Sequence, residues 1–368
     1  MFRNITHLIL LLCFIDAHAN DDTWTAFWDE EHYKRGFKDK NGTIKIPPKF
    51  MGMTQAVEFK KIIAVMEGAE SGYDSYYLLK NGKRVEDVKM FTFDNSFDCE
   101  SDNKIRFRDK KTDNMGYLDG KGNIAIPAMY NSGQPFANGL ASVLKGATLT
   151  CMNGKPFSAN NRCEHPHWKG GKSLVINANN EDIIQEVSLG TELDRYSLTI
   201  GDKPLESKEI ESYKGVNGKY YNFINTKKHF EKWFKENILG NLNVSSLRTH
   251  TFKQVTLFDR EKGWYNQPRK KFWKKNYESV REALIPLKNN DVSFFVSMDS
   301  LNQSIYEEEQ YKEYYAHCYN QYANKHPTLS VVAGYENEGL SVQDVFEFLK
   351  IKDSYKLISL TLRTAKLE

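Results

Sequence analysis

The side chains able to do chemistry in this 368-residue chain fall into three groups. Carboxylates and a hydroxyl stand just after strand-like runs: Asp259 and Glu261, Asp299 and Ser300, Glu336 and Glu338. At the carboxyl ends of strands in an open parallel sheet such groups converge, to bind a divalent cation or act as an acid/base pair, so Asp259, Asp299, Glu336 and Glu338 are the catalytic candidates. The competing reading makes Asp299 or Ser300 a helix cap and the glutamates solvated loop residues. The second group is "KGWYNQPRKKFWKK", residues 262–275, where Arg269, Lys270, Lys271, Lys274 and Lys275 interleave with Trp264, Tyr265, Phe272 and Trp273. Cations beside stacking rings suit single-stranded nucleic acid, an anionic glycan, lipid headgroups or an acidic protein surface. Trp264, Tyr265, Arg269, Lys270, Lys271, Trp273, Lys274 and Lys275 are therefore the binding candidates; otherwise this is a basic outer helix face with its rings turned into the core.

The third group is the cysteines and their neighbours. Cys163 opens "CEHPHW", twelve residues after Cys151, and His165 and His167 beside cysteines raise the question of zinc. A metal site needs free thiolates, whereas export favours a disulfide, and Pro166 suits a loop, so no metal is expected. His229, His250, His317 and His326 are scattered and form no set that sequence order can assemble. A glycine-rich phosphate loop, a Gly-x-Ser-x-Gly elbow and a paired-histidine helix motif are all missing from the sequence, and no cofactor is expected.

The N-terminus decides between these partners. Arg3 precedes an almost wholly apolar run, residues 8–15, and Ala17-His18-Ala19 has the small-x-small pattern of a signal peptidase site. Residues 1–19 read as a cleaved secretory signal, with cleavage after Ala19 and a periplasmic or secreted product. The run is shorter than the roughly 20 residues a membrane span needs, and no later segment is long and apolar enough. Nucleic acid is then an unsuitable partner for the basic-aromatic stretch, which leaves an envelope protein or an anionic surface glycan. A formal net charge of +3 adds no global electrostatic hint. Of five cysteines Cys13 leaves with the signal, and the other four allow three pairings. Cys151 and Cys163 bracket one short polar loop and are the favoured pair; Cys99 with Cys318 would then join the two halves.

The elements that must position these groups come from two patterns. "RGFKDKNGTIKIPPKF", residues 35–50, matches "MGYLDGKGNIAIPAMY", residues 115–130, at an offset of 80: Gly36 with Gly116, Asp39 with Asp119, Gly42 with Gly122, Ile46 with Ile126, Pro47 with Pro127. Midway lies "YYLLKNGKRVEDVKMF", residues 76–91, with Gly82 displaced by 40 from both, and "SLVINANNEDIIQEV", residues 173–187, is a weaker fourth copy. A 40-residue period means repeated supersecondary units, each a strand, a glycine turn and an Ile-x-Ile strand ended by proline. One hairpin is not stable alone, so the copies must share cores.

With "PFANGLASVLKG", residues 135–146, the third copy resembles the WG repeat family, found mostly in bacteria; the resemblance spans roughly residues 33–190. The family's eponymous tryptophan is replaced by Arg35 and Met115. The resemblance implies a β-rich scaffold or binding array, usually without assigned chemistry.

After about residue 222 the period changes to 3.6. Phe230, Trp233, Phe234 and Ile238 share a helical face ending at Gly240; Trp273, Tyr277, Val280 and Leu284 share another; Tyr311, Tyr314, Tyr315, Cys318, Tyr319 and Tyr322 a third; Val342, Val345, Phe346 and Leu349 a fourth. Strand-like runs lie at 255–258, 292–297, 329–333 and 355–362. The expected fold class is mixed: residues 20–222 an all-β array of WG-like hairpin repeats with a cysteine-bracketed insertion at 146–170, and residues 223–368 an α/β or α+β domain. The expected function is binding or scaffolding, with an exported hydrolase or transferase and a purely structural repeat protein as alternatives, and an open oligomeric state.

Overall fold

A computed structural model describes residues 22–259, 261, 263–337, 340–365 and 367, with the backbone alone at 259, 319, 336, 337, 340 and 341. The expected signal segment, residues 1–19, lies outside the described residues.

The sequence echo is a structural one. Strand Arg35–Lys38 pairs antiparallel with Ile44–Phe50, and Met115–Asp119 pairs with Ile124–Tyr130. Phe37 opposes Ile46 as Tyr117 opposes Ile126, with register shifts at the same two places. The shift explains the shared glycine: a Cβ on Gly36 would lie 2.6 Å from the Ile46 carbonyl oxygen, and one on Gly116 2.5 Å from that of Ile126. Only glycine lets the partner backbone come that close. The turns match too. Asp39 Oδ1 accepts from Asn41 N and Thr43 N, both at 2.9 Å, and Asp119 Oδ1 from Lys121 N at 2.8 Å and Asn123 N at 2.9 Å. Gly42 (φ 83°) and Gly122 (φ 79°) supply the left-handed residue.

The degenerate copies keep this geometry with other residues. In the second, Gly82 N donates to Leu79 O at 2.9 Å, the backbone bond that Gly42 and Gly122 also make, and Asn81 Oδ1 accepts from Lys83 N at 3.0 Å where the first and third copies use the aspartate. In the fourth, Asn177 Oδ1 accepts from Asn179 N and Glu181 N at 3.0 Å each, and Asn180 takes the glycine position at φ 66°. Each hairpin gains a strand ahead of it: Trp24–Trp28, Ile62–Ala69, Lys104–Arg108 and Leu140–Lys145. The insertion interrupts the fourth copy between Leu140–Lys145 and Lys172–Asn177, carrying its own hairpin of Thr148–Thr150 and His167–Lys169. Cores form between copies, because alternate residues leave opposite faces of a strand. Ile63, Val65, Tyr76 and Leu78 pack with Phe37 and Phe50 of the first copy, whereas Ile62, Ala64, Tyr77 and Leu79 pack with Ile105 and Phe107 of the third.

Strands dominate the C-terminal region as well. Its sheet runs Gly263–Pro268, Thr251–Asp259, Ser354–Thr361, Leu340–Ile351, Thr328–Asn337, Phe294–Asp299. The one parallel neighbour pair is Thr251–Asp259 with Ser354–Thr361; the rest are antiparallel. Helices Thr226–Phe234, Val244–Thr249 and Arg269–Asn289 lie on one face, over a core that includes Phe230, Trp273, Val255, Phe346 and Phe348. The helical faces at Phe230 and Trp273 are as the spacing predicts, the first passing into a π-helical turn, Lys235–Leu239.

Two expected helices are not helices. Val342, Val345, Phe346 and Leu349 lie on strand Leu340–Ile351. Its sheet is covered on both faces here, Phe346 and Phe348 by the helices and Leu349 by Leu301, Tyr306 and Tyr311, and a doubly buried strand mimics a helical period. On the same strand Asp344 is fully buried and accepts from Arg363 N at 2.6 Å and Thr364 N at 3.2 Å. The tyrosine-rich stretch forms three short 3-10 turns, Glu309–Tyr314, His317–Tyr319 and Gln321–Ala323, because Tyr306 and Tyr311 turn into the sheet while Cys318 is bonded to Cys99.

Candidate functional site

The carboxylate candidates do not converge. In the antiparallel register Asp299 opposes Thr328, at one end of Thr328–Asn337, while Glu336 stands eight residues away near the other end, about 26 Å along the strand. Asp259 ends its strand on the Glu336 side, separated from it by two intervening strands, and Glu338 lies outside the described residues. The expected convergence needed a parallel sheet; antiparallel pairing sends successive strand ends to opposite edges. Asp299 accepts from Ser300 N at 2.7 Å and from Gln321 Nε2 at 3.3 Å, so it holds the 3-10 segment in place.

The basic-aromatic stretch also splits. Trp273 is 3% exposed and donates through Nε1 to Thr251 Oγ1 at 2.9 Å; it is a core residue, and its assignment to a binding face is corrected. Tyr265 packs against the same core, and Arg269 Nη1 donates to Thr251 O at 3.1 Å. Lys270, Lys271, Lys274 and Lys275 line the outer side of the Arg269–Asn289 helix. Trp264 alternates with Tyr265 along its strand and so faces the side of the sheet away from that helix. There it meets Phe258 at 5.1 Å, beside a groove of about 540 Å³ that reaches Val345, Glu347 and Arg363.

A larger cavity, about 650 Å³, opens at the seam between the repeats and residues 317–322. Its walls carry Phe91, Phe93 and Phe97 from the repeats, Trp168 from the insertion and Tyr322 from the 3-10 segment. Phe93 projects because Asp94 (φ 46°) and Asn95 (φ 55°) make a two-residue turn with both residues left-handed, joining Thr92–Phe93 to Ser96–Phe97. It is 76% exposed. Charge in the cavity is already paired. Arg106 donates to Asp98 through Nε at 3.0 Å and Nη2 at 2.6 Å, sends Nη1 to Gly133 O at 2.9 Å, and lies 4.1 Å from the centre of the Phe91 ring. Burial pulls its guanidinium down, but the Asp98 carboxylate outweighs that and holds it above the ordinary arginine value. Glu100 Oε2 accepts from Lys61 N at 2.8 Å and Ile62 N at 3.1 Å.

His317 differs from these. Its Nδ1 makes no hydrogen bond and lies 4.0 Å from Glu58 Oε2, while Nε2 is 3.8 Å from Cys318 Sγ. Burial holds the imidazole below the usual histidine value; Glu58 and Asp98 oppose this and Lys60 adds to it. Cys99 and Cys318 are disulfide-bonded across the seam, and Cys151 and Cys163 close the insertion loop as expected. Among the described residues, Cys99, His317 and Cys318 form the cluster of metal-ligand types, with donor atoms within 4.8 Å of one another. The disulfide engages both sulfurs, so in this form the cluster offers a metal only an imidazole. The seam set of Phe93, Trp168 and His317 escaped the sequence reading; the adjacent His317-Cys318 pair, with Cys318 expected to cross to Cys99, was the available signal.

Two cavity walls, Phe91 over Arg106 and Gln134 behind it, belong to or flank the third repeat copy, whose hairpin geometry is shared by the first. Residues 115–147 match the family model of the WG containing repeat. Comparison with curated proteins gives no match. The match covers the third hairpin and runs into the Leu140–Lys145 strand ahead of the fourth; the first and fourth hairpins share the third's register shift, and the second shares its glycine turn. Tyr117 of this WG repeat donates to Gln134 O at 2.7 Å and packs edge-on against Phe136 at 4.8 Å, fixing the cavity's rear wall.

Proposed function

We propose that the chain is an exported, two-part binding module, a WG-like repeat array over residues 20–222 and a helix-and-sheet domain over 223–368, and that its seat is the seam cavity. The partner is an uncharged, apolar-anchored segment of another envelope or secreted protein. The supporting observation is the chemistry of the cavity: five aromatic rings face it while its Asp98, Glu100 and Arg106 are already satisfied within the protein. Such a site rewards burial of apolar groups and has no spare charge for an anionic glycan. The export reading is in keeping with two disulfides and with a helix set in which none, among the described residues, is long and apolar enough to cross a membrane.

The test is a titration of mature-chain tryptophan fluorescence with neutral aromatic peptides and, separately, with an acidic polysaccharide, at low and high salt. Saturable, salt-insensitive peptide binding that weakens at least about tenfold in Phe93→Ser is the expected result. Polysaccharide binding that survives Phe93→Ser and is lost when Lys270, Lys271 and Lys274 become serine would instead move the site to the basic helix.

A further inference from the structure

We propose that Cys99–Cys318 is a thiol–disulfide exchange centre that accepts a thiol-bearing segment entering the seam cavity, with His317 as the base. The proposal rests on the cavity reading for its substrate's entry. Its probe is glutathione, which reports on the disulfide whether or not a macromolecular partner binds.

Three observations distinguish this bond from Cys151–Cys163. It lines the cavity, which neither Cys151 nor Cys163 does; Cys318 is half-buried, as Cys163 is, so a thiol that has entered the cavity meets its sulfur. It has an acid/base group in place: His317 Nε2 lies 3.8 Å from Cys318 Sγ, with Glu58 Oε2 4.0 Å behind Nδ1 to favour the tautomer whose Nε2 lone pair faces the sulfur. At the other bond Cys151 Sγ faces the Asn161 carbonyl at 3.6 Å, a group that cannot take up a proton at neutral pH. Finally, Cys318 sits at φ 51°, a left-handed conformation that costs a non-glycine residue energy and that the seam bond helps to hold.

The first step balances within these residues. An incoming R–SH gives its proton to His317 Nε2, and its sulfur attacks Cys318 Sγ. The R–S–S–Cys318 bond forms as the bond to Cys99 breaks. His317 then passes the proton to the departing Cys99 Sγ, within the 4.8 Å that spans the three donor atoms. If the substrate is a dithiol, its second thiol displaces Cys318, so the substrate is oxidised to a disulfide and the protein is reduced to two thiols. Burial, with Lys60 adding to it and Glu58 and Asp98 opposing, leaves the imidazole easier to deprotonate than a free one, so its ring nitrogen is open to an incoming proton.

Mature chain is incubated with glutathione under native conditions, quenched with acid and mapped by mass spectrometry, at pH 7 and pH 9.5. The expected first product carries glutathione on Cys318 with Cys99 free and Cys151–Cys163 intact. A thiol of pKa about 8.5 is only about 3% ionised at pH 7, so a base can help by at most about 30-fold. His317→Gln should therefore slow the reaction about tenfold at pH 7 and leave it unchanged at pH 9.5, where glutathione is already a thiolate. Glu58→Gln, which leaves the imidazole in place, should show a smaller loss with the same pH pattern. Glutathione arriving first or equally at Cys151 or Cys163, or no adduct from the folded chain, would overturn the proposal. So would His317→Gln rates that are unchanged, or reduced equally, at both pH values.

Discussion

In the repeat region the cores lie between copies: Ile63 and Val65 turn toward the first copy while Ile62 and Ala64 turn toward the third. In the C-terminal region one cluster takes Phe230 and Phe234 from one helix, Trp273 and Leu284 from another, and Val255, Phe346 and Phe348 from the sheet, while a smaller one on the sheet's other face joins Phe252, Leu349 and Ile358 to Leu301, Tyr306 and Tyr311. The first arrangement couples only neighbours, so damage there spreads one copy at a time; the second couples all three helices to one sheet at once. The two regions meet at a seam, where Cys318 packs against the core of the first two copies. His317 Nδ1 and the Cys99–Cys318 bond both lie there.

The largest break in this comparison comes from cutting the seam. Cys99–Cys318 closes 219 residues and Cys151–Cys163 closes 12. Loop-closure entropy alone assigns them about 5 and about 3 kcal/mol respectively. Replacing Cys99 and Cys318 by serine should lower the thermal midpoint by the larger amount and split calorimetric unfolding into a repeat transition and a C-terminal one. The Cys151 and Cys163 double serine should lower stability without splitting it. A single transition in both variants would mean that the seam is held by the other contacts across it, such as the ion pair of Lys350 with Asp194.

A smaller effect sharpens the local half of the comparison. A methyl group at Gly116 would meet the Ile126 carbonyl at 2.5 Å and Ala128 N at 2.8 Å, both backbone atoms, so the strand must shift. Gly116→Ala is expected to cost about 1–3 kcal/mol, as an overpacked site does. Hydrogen exchange should report loosening in the third copy and its two neighbours and leave the C-terminal sheet protected; loosening that reached Phe346 would show the two regions to be one cooperative unit.

These cases also show what the sequence made legible. Gly36, Gly116, Asp39 and Asp119 act within a dozen residues of themselves, so a self-comparison finds them, their turns and the hairpins. The sheet of the C-terminal region depends on pairings such as Thr251 with Leu357, whose information is spread across a hundred residues. Strands buried on both faces then lose the alternation that would separate them from helices, as Val342 to Leu349 did. Trp273 misled for a related reason: composition places it beside five cations, but only the fold shows its indole turned toward Thr251. The seam cavity was hidden most completely, because Phe93, Trp168 and His317 come from three distant elements.

The smallest effect tests whether the copies are equivalent where the family match stops. Asp119 in the matched copy and Asn177 in the fourth both accept two backbone amides through Oδ1. Burial raises the Asp119 carboxyl, but the amides of Asn123 and Lys121 outweigh it, so its folded value lies below the ordinary one. A depressed folded pKa gives stability that is present above the unfolded value, about 3.9, and is lost as pH falls through the folded value. Asp119→Asn should therefore leave stability at pH 7 within about 0.5 kcal/mol and remove this group's share of the acid loss, because the amide oxygen accepts the same two bonds without titrating. Asp119→Ala, which leaves both amides without that partner, should cost about 1 kcal/mol at pH 7. If the asparagine variant falls as far as the alanine variant, the charge carries the turn, and Asn177 then holds the fourth copy by a different balance from the third.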